Sequence, residues 1–168
     1  MSVTFSKVQG YVTIRDGNKD RRVSFQSLQP AFTGTAVLPV IICIPSLGDL
    51  CEECECYARE PRGHRVMIVD HRGLGESDVE FTSYAAHYCG SDVVALIKQE
   101  IPLNQKVVII GNSMGGAAAV WVASELPRQV DGIVLLDAFV RDHPFPFGMQ
   151  TLLSFLCSDF IGPMFWPS

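Results

Sequence analysis

The segment Val107-Val-Ile-Ile-Gly-Asn-Ser-Met-Gly-Gly116 carries the strongest structural signal in this chain of 168 residues. Its apolar, β-branched run predicts a buried strand that ends near Gly111. The small residues and helix formers that follow, up to Leu126, predict a helix. The segment therefore predicts a strand, a sharp turn and a helix, with Ser113 at the apex of the turn.

The residues around Ser113 have the Gly-x-Ser-x-Gly pattern of a nucleophile elbow. In such a turn the serine has a strained backbone, and its neighbours must be small so that strand and helix can approach each other. Gly111 and Gly115 meet this requirement. The helix N-terminus then offers a backbone N–H, that of Met114, to a developing oxyanion. We predict Ser113 as a nucleophile; the alternative is a glycine-rich turn with an incidental serine.

The composition is that of an ordinary globular domain. Hydrophobic residues make up 48% of the chain, charged residues 18%, and the net charge is −5. The one short basic run, Lys19-Asp-Arg-Arg22, is too small for a nucleic-acid footprint. Residues 1–10 contain no apolar signal region, and no run reaches the roughly 18 apolar residues that a membrane helix needs. We expect a cytoplasmic protein that binds neither nucleic acid nor membrane.

Three of the six cysteines, Cys51, Cys54 and Cys56, lie close together. Structural zinc usually has four ligands in two separated pairs, and the chain offers no second pair at ligand spacing. The intervening acidic residues favour the first turns of an exposed helix, with Asp49 in the N-cap position. We therefore expect reduced thiols and no metal.

Strand and helix patterns alternate along the chain. Predicted strands cover Gly10–Arg15, Arg21–Leu28, Val37–Ile44, Arg65–Asp70, Lys106–Ile110 and Val130–Leu136. Predicted helices cover Leu50–Arg59, Tyr84–Glu100, Met114–Leu126 and, near the C-terminus, Met149–Cys157. Strands joined through helices form right-handed crossovers. The predicted fold class is α/β, a three-layer α/β/α structure with a mostly parallel sheet.

Two motifs, in the right order and at the right separation, resemble those of the α/β-hydrolase fold family, of the esterase, epoxide hydrolase and haloperoxidase type. Asp70-His-Arg-Gly-Leu-Gly-Glu-Ser77 is similar to the Asp-x-Arg-Gly-x-Gly-x-Ser turn after the fourth strand of that family. Gly111-Asn-Ser-Met-Gly115 is similar to its elbow. The resemblance covers strands one to six, so the chain looks like a hydrolase that lacks its last strands.

The resemblance leaves the role of the first motif open. Its loop either lines the crevice at the carboxyl ends of the strands or braces the sheet, and we favour bracing for Asp70, Arg72 and Gly73. Glu76 and Ser77 are expected at the surface and at the start of a helix. His64, His71 and His87 are expected as surface or turn residues, although His71 could line the crevice.

The resemblance also implies a second oxyanion donor in the loop after the third strand. The family usually has His-Gly-x there, whereas this chain has Pro45-Ser-Leu-Gly-Asp49. By position Leu47 would supply the N–H. A backbone donor does not depend on side-chain identity, so the oxyanion hole can exist without the His-Gly pair.

The catalytic acid and base are the weak point of the resemblance. In this fold they follow the serine, acid first and histidine last, but strands seven and eight have no counterpart before Ser168. Asp137 ends the sixth strand, and His143 is the only histidine after Ser113. These three residues would form a compressed triad. The simpler interpretations are that Asp137 caps a buried strand and that His143 is a polar loop residue.

The chain changes character after Asp137, which predicts two regions. Residues 1–138 would form the hydrolase core, and residues 139–168, rich in Phe and Pro, resemble the start of a helical cap. Without later elements to cover it, this apolar segment would favour self-association, and the sixth strand would be an uncovered edge.

Two functions of different classes follow. The first is a serine hydrolase that acts on an ester or related acyl bond of a small hydrophobic substrate, with Ser113 as nucleophile, a base that is missing from this chain or unidentified in it, and no metal or organic cofactor. The second is a catalytically inactive, truncated hydrolase-like protein that binds a hydrophobic ligand or partner. A Rossmann domain is disfavoured because no Gly-x-Gly-x-x-Gly opens the first helix.

Overall fold

The computed structural model describes residues 5–30, 37–49, 54, 63–138 and 140. Within these ranges one sheet is packed against two helices. The strands are β1 (Phe5–Asp16), β2 (Lys19–Pro30), β3 (Val40–Ile44), β4 (Val66–Val69), β5 (Val107–Asn112) and β6 (Val130–Leu136). The helices are α1 (Ala86–Glu100) and α2 (Met114–Glu125).

The sheet has the strand order β1-β2-β4-β3-β5-β6. β1 pairs with β2, and β2 with β4, in antiparallel fashion. β4, β3, β5 and β6 run parallel to one another. The predicted mostly parallel sheet is confirmed, and the carboxyl ends of its parallel strands share one edge.

The predicted strands and helices within the described ranges are all present, with small shifts at their ends. The N-terminal hairpin is longer than predicted, because the pairing continues in register from Asp16↔Lys19 to Phe5↔Pro30. Gly17, in its turn, has a φ of 59°, which glycine adopts without strain. The predicted helix Met149–Cys157 lies outside the described residues.

Each face of the sheet carries its own hydrophobic cluster. α1 and α2 pack together over the larger cluster, to which β3 contributes Val40, Ile42 and Ile44. The alternate residues of β3, Ile41 and Cys43, belong to the cluster on the other face. β3 is therefore buried on both faces, as its nearly continuous apolar run predicts.

Cys54 lies in the segment Leu50–Arg59, which was predicted as an exposed helix. The rest of that segment is outside the described residues, but Cys54 is helical and 5% exposed, in the second cluster. The expectation of exposure is wrong at Cys54. It was based on the acidic residues next to Cys54 in the sequence, whereas the Cys54 side chain itself faces the hydrophobic cluster.

β6 lies at one edge of the sheet, as predicted. Three consecutive apolar residues, Ile133, Val134 and Leu135, are each about two-fifths exposed. The predicted cap, residues 139–168, lies outside the described residues apart from Val140. No helix among the described residues is both long and apolar enough to cross a membrane.

Candidate active site

Ser113 lies in the turn between β5 and α2, half-buried, with φ 51° and ψ −114°. L-residues rarely adopt a positive φ of this kind, and its cost is of order 1–3 kcal/mol. The Ser113 N–H donates to the carbonyl of Leu136 at 2.9 Å, and the Ser113 carbonyl accepts from the Gly116 N–H at 3.0 Å. The predicted sharp turn is therefore present and is fixed to both β6 and α2.

The glycines on either side of Ser113 are required by close backbone contacts. A Cβ atom on Gly111 would lie 2.7 Å from the carbonyl carbon of Gly115. A Cβ atom on Gly115 would overlap the carbonyl oxygens of Ile44 and Pro45 and lie 2.8 Å from the Ile44 carbonyl carbon. The absence of a side chain at Gly111 thus lets α2 pack against β5, and its absence at Gly115 lets α2 pack against the end of β3.

Gly116 is a third close-packed position that the motif alone did not identify. A Cβ atom there would overlap the Cβ of Ala138 and lie 3.0 Å from its Cα. The signal in the sequence was the glycine doublet Gly115-Gly116. Because Gly116, the second glycine of the doublet, has no side chain, Ala138, which follows β6, can pack against the first turn of α2.

The two predicted oxyanion donors are on elements that meet at this turn. Met114 is the first residue of α2, and the first four N–H groups of a helix have no partner within the helix. Leu47 lies in the loop after β3, with its side chain 66% exposed. That loop is a tight turn in which the Asp49 N–H donates to the Ser46 carbonyl at 3.2 Å and Gly48 has a φ of 91°.

Asp137 follows β6 and is the only other described non-glycine residue with a positive φ, at 43°. Because its neighbour Leu136 accepts the Ser113 N–H, Asp137 and Ser113 leave adjacent strands at the same edge of the sheet. Asp137 is exposed, and β6 is partly exposed along its length. Asp137 therefore ends a partly exposed strand and not the buried strand that was expected.

The described histidines lie in three different environments, and His143 is outside the described residues. His87 is exposed, with its ring against those of Tyr88 and Trp121. His64 bonds through Nδ1 to the carbonyl of Pro39 at 2.8 Å, at the start of β3.

His71 was expected at the surface or in the crevice, but its side chain is buried, with 2% exposure. Its Nε2 is 2.8 Å from the carbonyl oxygen of Pro45. Burial lowers the pKa of the imidazole, against the opposing effects of this hydrogen bond and of the Asp70 and Asp49 charges. The ring is therefore neutral at pH 7. Sequence reasoning missed this role because the bond joins two strands that are distant in the chain.

The Asp70 side chain braces the turn after β4, as favoured from the sequence. Its carboxylate accepts hydrogen bonds from the Ser24 hydroxyl at 2.8 Å and from the Glu76 N–H at 3.2 Å. A Cβ atom on Gly75 would lie 2.5 Å from the Asp70 carboxyl carbon. The turn therefore encloses Asp70 without directing it to a crevice.

Ser77 was expected at the surface, and this expectation is wrong. It is 5% exposed, its hydroxyl donates to the Asp70 carbonyl at 3.0 Å, and the same oxygen accepts the Ser24 N–H at 2.9 Å. Glu76 is exposed, as expected. The serine that closes the motif is therefore a buried link between β2 and the turn.

The described residues contain no group of three or more His, Cys, Asp or Glu side chains that could hold a metal ion. Cys89, near the start of α1, is buried, and burial raises the pKa of its thiol to about 11. It is therefore protonated at neutral pH and a poor nucleophile.

A family model described as alpha/beta hydrolase fold matches residues 39–156, which include β3 to β6 and the Ser113 turn. The chain belongs to the α/β-hydrolase fold family, and its sheet is the corresponding part of that three-layer fold. This confirms the resemblance seen in the two motifs.

Similar proteins include hydrolases and esterases. The AB hydrolase superfamily protein YisY of Bacillus subtilis (strain 168) is 35% identical over 94 residues, or 53% of this chain and 34% of that protein. A carbendazim hydrolyzing esterase of Nocardioides sp. (strain SG-4G) is 30% identical over 105 residues, or 57% of this chain and 39% of that protein. A thermophilic esterase from Thermogutta terrifontis superposes with a TM-score of 0.66 at 25% identity, over 82% of this chain and 48% of that one. The chain thus spans about a third to a half of these relatives.

Proposed function

We propose that this protein is a serine hydrolase that acts on an ester or related acyl bond, with Ser113 as its nucleophile. The observation that carries the proposal is the backbone of Ser113, with φ 51° and ψ −114°. Glycine would hold this conformation at lower cost. A serine in this conformation, at the turn from a strand into a helix, is typical of a nucleophile elbow.

The proposed oxyanion hole is formed by the N–H groups of Met114 and Leu47. The first turn of α2 carries a partial positive charge beside Ser113. The loop after β3 is held against the same turn, because Gly115 contacts the carbonyls of Ile44 and Pro45. Donors from these two elements would bind the carbonyl oxygen as it becomes negative, which is commonly the largest single catalytic effect in acyl transfer.

The proposed chemistry proceeds through an acyl-enzyme. The Ser113 Oγ adds to the acyl carbon, and its proton passes to a general base. The tetrahedral intermediate then expels the alcohol, whose oxygen receives that proton from the base. Water, deprotonated by the same base, hydrolyses the acyl-serine and regenerates the hydroxyl. This sequence requires no metal or organic cofactor.

The described contacts support the choice of acid and base less strongly than the choice of Ser113 as nucleophile. Asp137 is the proposed acid, since it leaves β6 beside Ser113. His143, six residues further on, is the proposed base of a compressed triad. Neither His71 nor His64 fits the role: His71 is buried with its Nε2 engaged, and His64 is at the opposite end of β4.

Labelling with a fluorophosphonate probe tests the proposal. Ser113→Ala removes the nucleophile, and Ser124→Ala, which changes an exposed serine near the end of α2, is the matched control. We expect labelling of the unchanged protein and of Ser124→Ala, and a loss on the order of 10⁴-fold in Ser113→Ala. An equal loss in His143→Ala would support the compressed triad, whereas an unchanged rate would remove it.

Absence of labelling in a protein that circular dichroism shows to be folded would overturn the serine hydrolase proposal for this chain. It would favour the alternative function, binding of a hydrophobic ligand or partner by an inactive member of the family.

A further inference from the structure

We infer that His71 is a positioning residue for the oxyanion hole, and this inference rests on the proposed function. Its imidazole N–H holds the carbonyl of Pro45, and through it the backbone turn that carries the Leu47 N–H. His71 touches no substrate in this scheme. It acts through the loop.

The geometry of the bond defines the state of the ring. His71 follows Asp70 at the end of β4, and β4 lies beside β3 in parallel register, so the side chain reaches the residue that follows β3. A carbonyl oxygen can only accept, so the Nε2 atom, 2.8 Å away, carries the proton. The Nε2–H of His71 is therefore the donor of a buried hydrogen bond, and burial, which lowers the pKa of the ring, favours its neutral form.

The Pro45 carbonyl is held on two sides. His71 donates to it, and Gly115 packs so closely against it that a Cβ atom there would overlap the oxygen. Because a peptide group is planar, fixing this carbonyl also fixes the N–H of Ser46. The tight turn Ser46–Asp49 begins at that residue, and Leu47 lies within it. A displacement of the Pro45 carbonyl would therefore also displace the Leu47 N–H, the proposed oxyanion donor.

Among the described residues, few other contacts hold this loop in position. Pro45 has no N–H to donate, and the Leu47 side chain is 66% exposed, so it adds little packing. The bond to the Pro45 carbonyl is buried and therefore costly to leave unmade. These features make the imidazole a main anchor of the loop.

The chain provides a matched control at the other end of the same strand. His64 precedes β4 and bonds to the carbonyl of Pro39, which precedes β3, also at 2.8 Å. Both histidines thus link β4 to a proline carbonyl at an end of β3. Only the His71 bond is at the edge that carries Ser113.

The experiment compares three variants. His71→Phe keeps a ring but removes the donor, His71→Gln keeps an N–H at similar reach, and His64→Phe removes the control bond. The first readout is the second-order rate constant of fluorophosphonate labelling across pH. The second is hydrogen exchange of the amides of residues 46–49. Thermal unfolding confirms that each variant is folded.

We expect His71→Phe to be labelled about 10- to 100-fold more slowly, because a donor misplaced by about 1 Å costs up to that factor. The midpoint of its pH profile should not move, since the titrating base is unchanged. Exchange at residues 46–49 should be faster. His71→Gln should recover most of the rate, and His64→Phe should match the unchanged protein.

Equal labelling and equal exchange in His71→Phe and His64→Phe would overturn the inference. A shifted pH midpoint in His71→Gln would also overturn it, since His71 would then take part in proton transfer. If the unchanged protein is not labelled at all, the proposed function fails, and with it the catalytic part of the inference. The exchange readout then decides separately whether His71 holds the loop.

Discussion

The guanidinium of Arg72 donates two hydrogen bonds to the carboxylate of Asp92, at 2.9 Å from Nε and 2.7 Å from Nη2, with both side chains buried. The Asp16 carboxylate lies 3.7 Å from Nη1, and the rings of Phe81 and Tyr88 flank the guanidinium. Burial disfavours the charged guanidinium, but the hydrogen bonds and charge of Asp92 outweigh this effect and raise the pKa of Arg72. The pair fastens the turn after β4 to α1.

Arg72→Met should destabilise the protein strongly, because it leaves two carboxylates buried without their cation. Breaking one side of a buried ion pair costs about 3–5 kcal/mol in the free energy of unfolding. The double variant Arg72→Met/Asp92→Leu should recover part of this loss, since it removes one of the stranded charges. Urea unfolding followed by circular dichroism measures both effects. A loss below about 1 kcal/mol in Arg72→Met would show that the pair does not brace the turn.

Ser113→Gly should raise the stability of the fold while it removes the proposed nucleophile. Glycine relieves the cost of the positive φ but adds freedom to the unfolded chain, so the net gain should be about 1 kcal/mol. Ser113→Ala keeps the strain and should leave the unfolding temperature nearly unchanged. If the two variants melt at the same temperature, the turn holds no backbone strain.

Gly115→Ala should destabilise the protein by at least about 2 kcal/mol, because its Cβ atom would overlap the backbone at the end of β3. Gly132→Ala is the matched control: nothing lies within 4 Å of a Cβ atom there. Chemical denaturation of the two variants measures the difference. Equal stabilities would mean that α2 can move away from β3 at little cost.

Stability should fall as the pH is lowered through the range of free histidine. Burial holds the pKa of His71 below the ordinary histidine value of 6.5, so the unfolded chain binds a proton more readily than the folded protein. The contribution is complete above pH 6.5 and is lost as the pH falls from there towards the lower folded-state pKa. Unfolding free energies measured between pH 7.5 and 5 should therefore decline less in His71→Gln than in the unchanged protein. Parallel declines would show that His71 does not titrate differently on folding.

The parts of the fold that local pattern encodes were predictable from the sequence. The apolar run before Gly111 predicted β5, and the pattern of Val130–Leu136 gave β6 with both ends in place. The spacing of Gly111 and Gly115 around Ser113 predicted the strained turn, because only small residues allow such an approach. Backbone geometry of this kind depends on residues that are adjacent in the sequence, so a local pattern can predict it.

The polar interior was not predictable in the same way. Ser77 is buried because Asp70, at the start of its own turn, and Ser24, on the distant strand β2, supply its hydrogen-bond partners. His71 is buried because the loop after β3 offers it a carbonyl. A polar residue looks like a surface residue until its distant partners are known, so local pattern placed both outside the core.

The topology of the sheet also bears on how the chain folds. β1 and β2 are neighbours in sequence and form a local pair, whereas β5 pairs with β3 across a segment that contains β4 and α1, with Val40 against Val107 and Ile44 against Gly111. The Ser113 turn further needs the carbonyl of Leu136, at the end of the last described strand. Ser113 thus takes its strained backbone conformation only when β6 has docked, so the activation proposed for its hydroxyl would be absent from a nascent or partly unfolded chain.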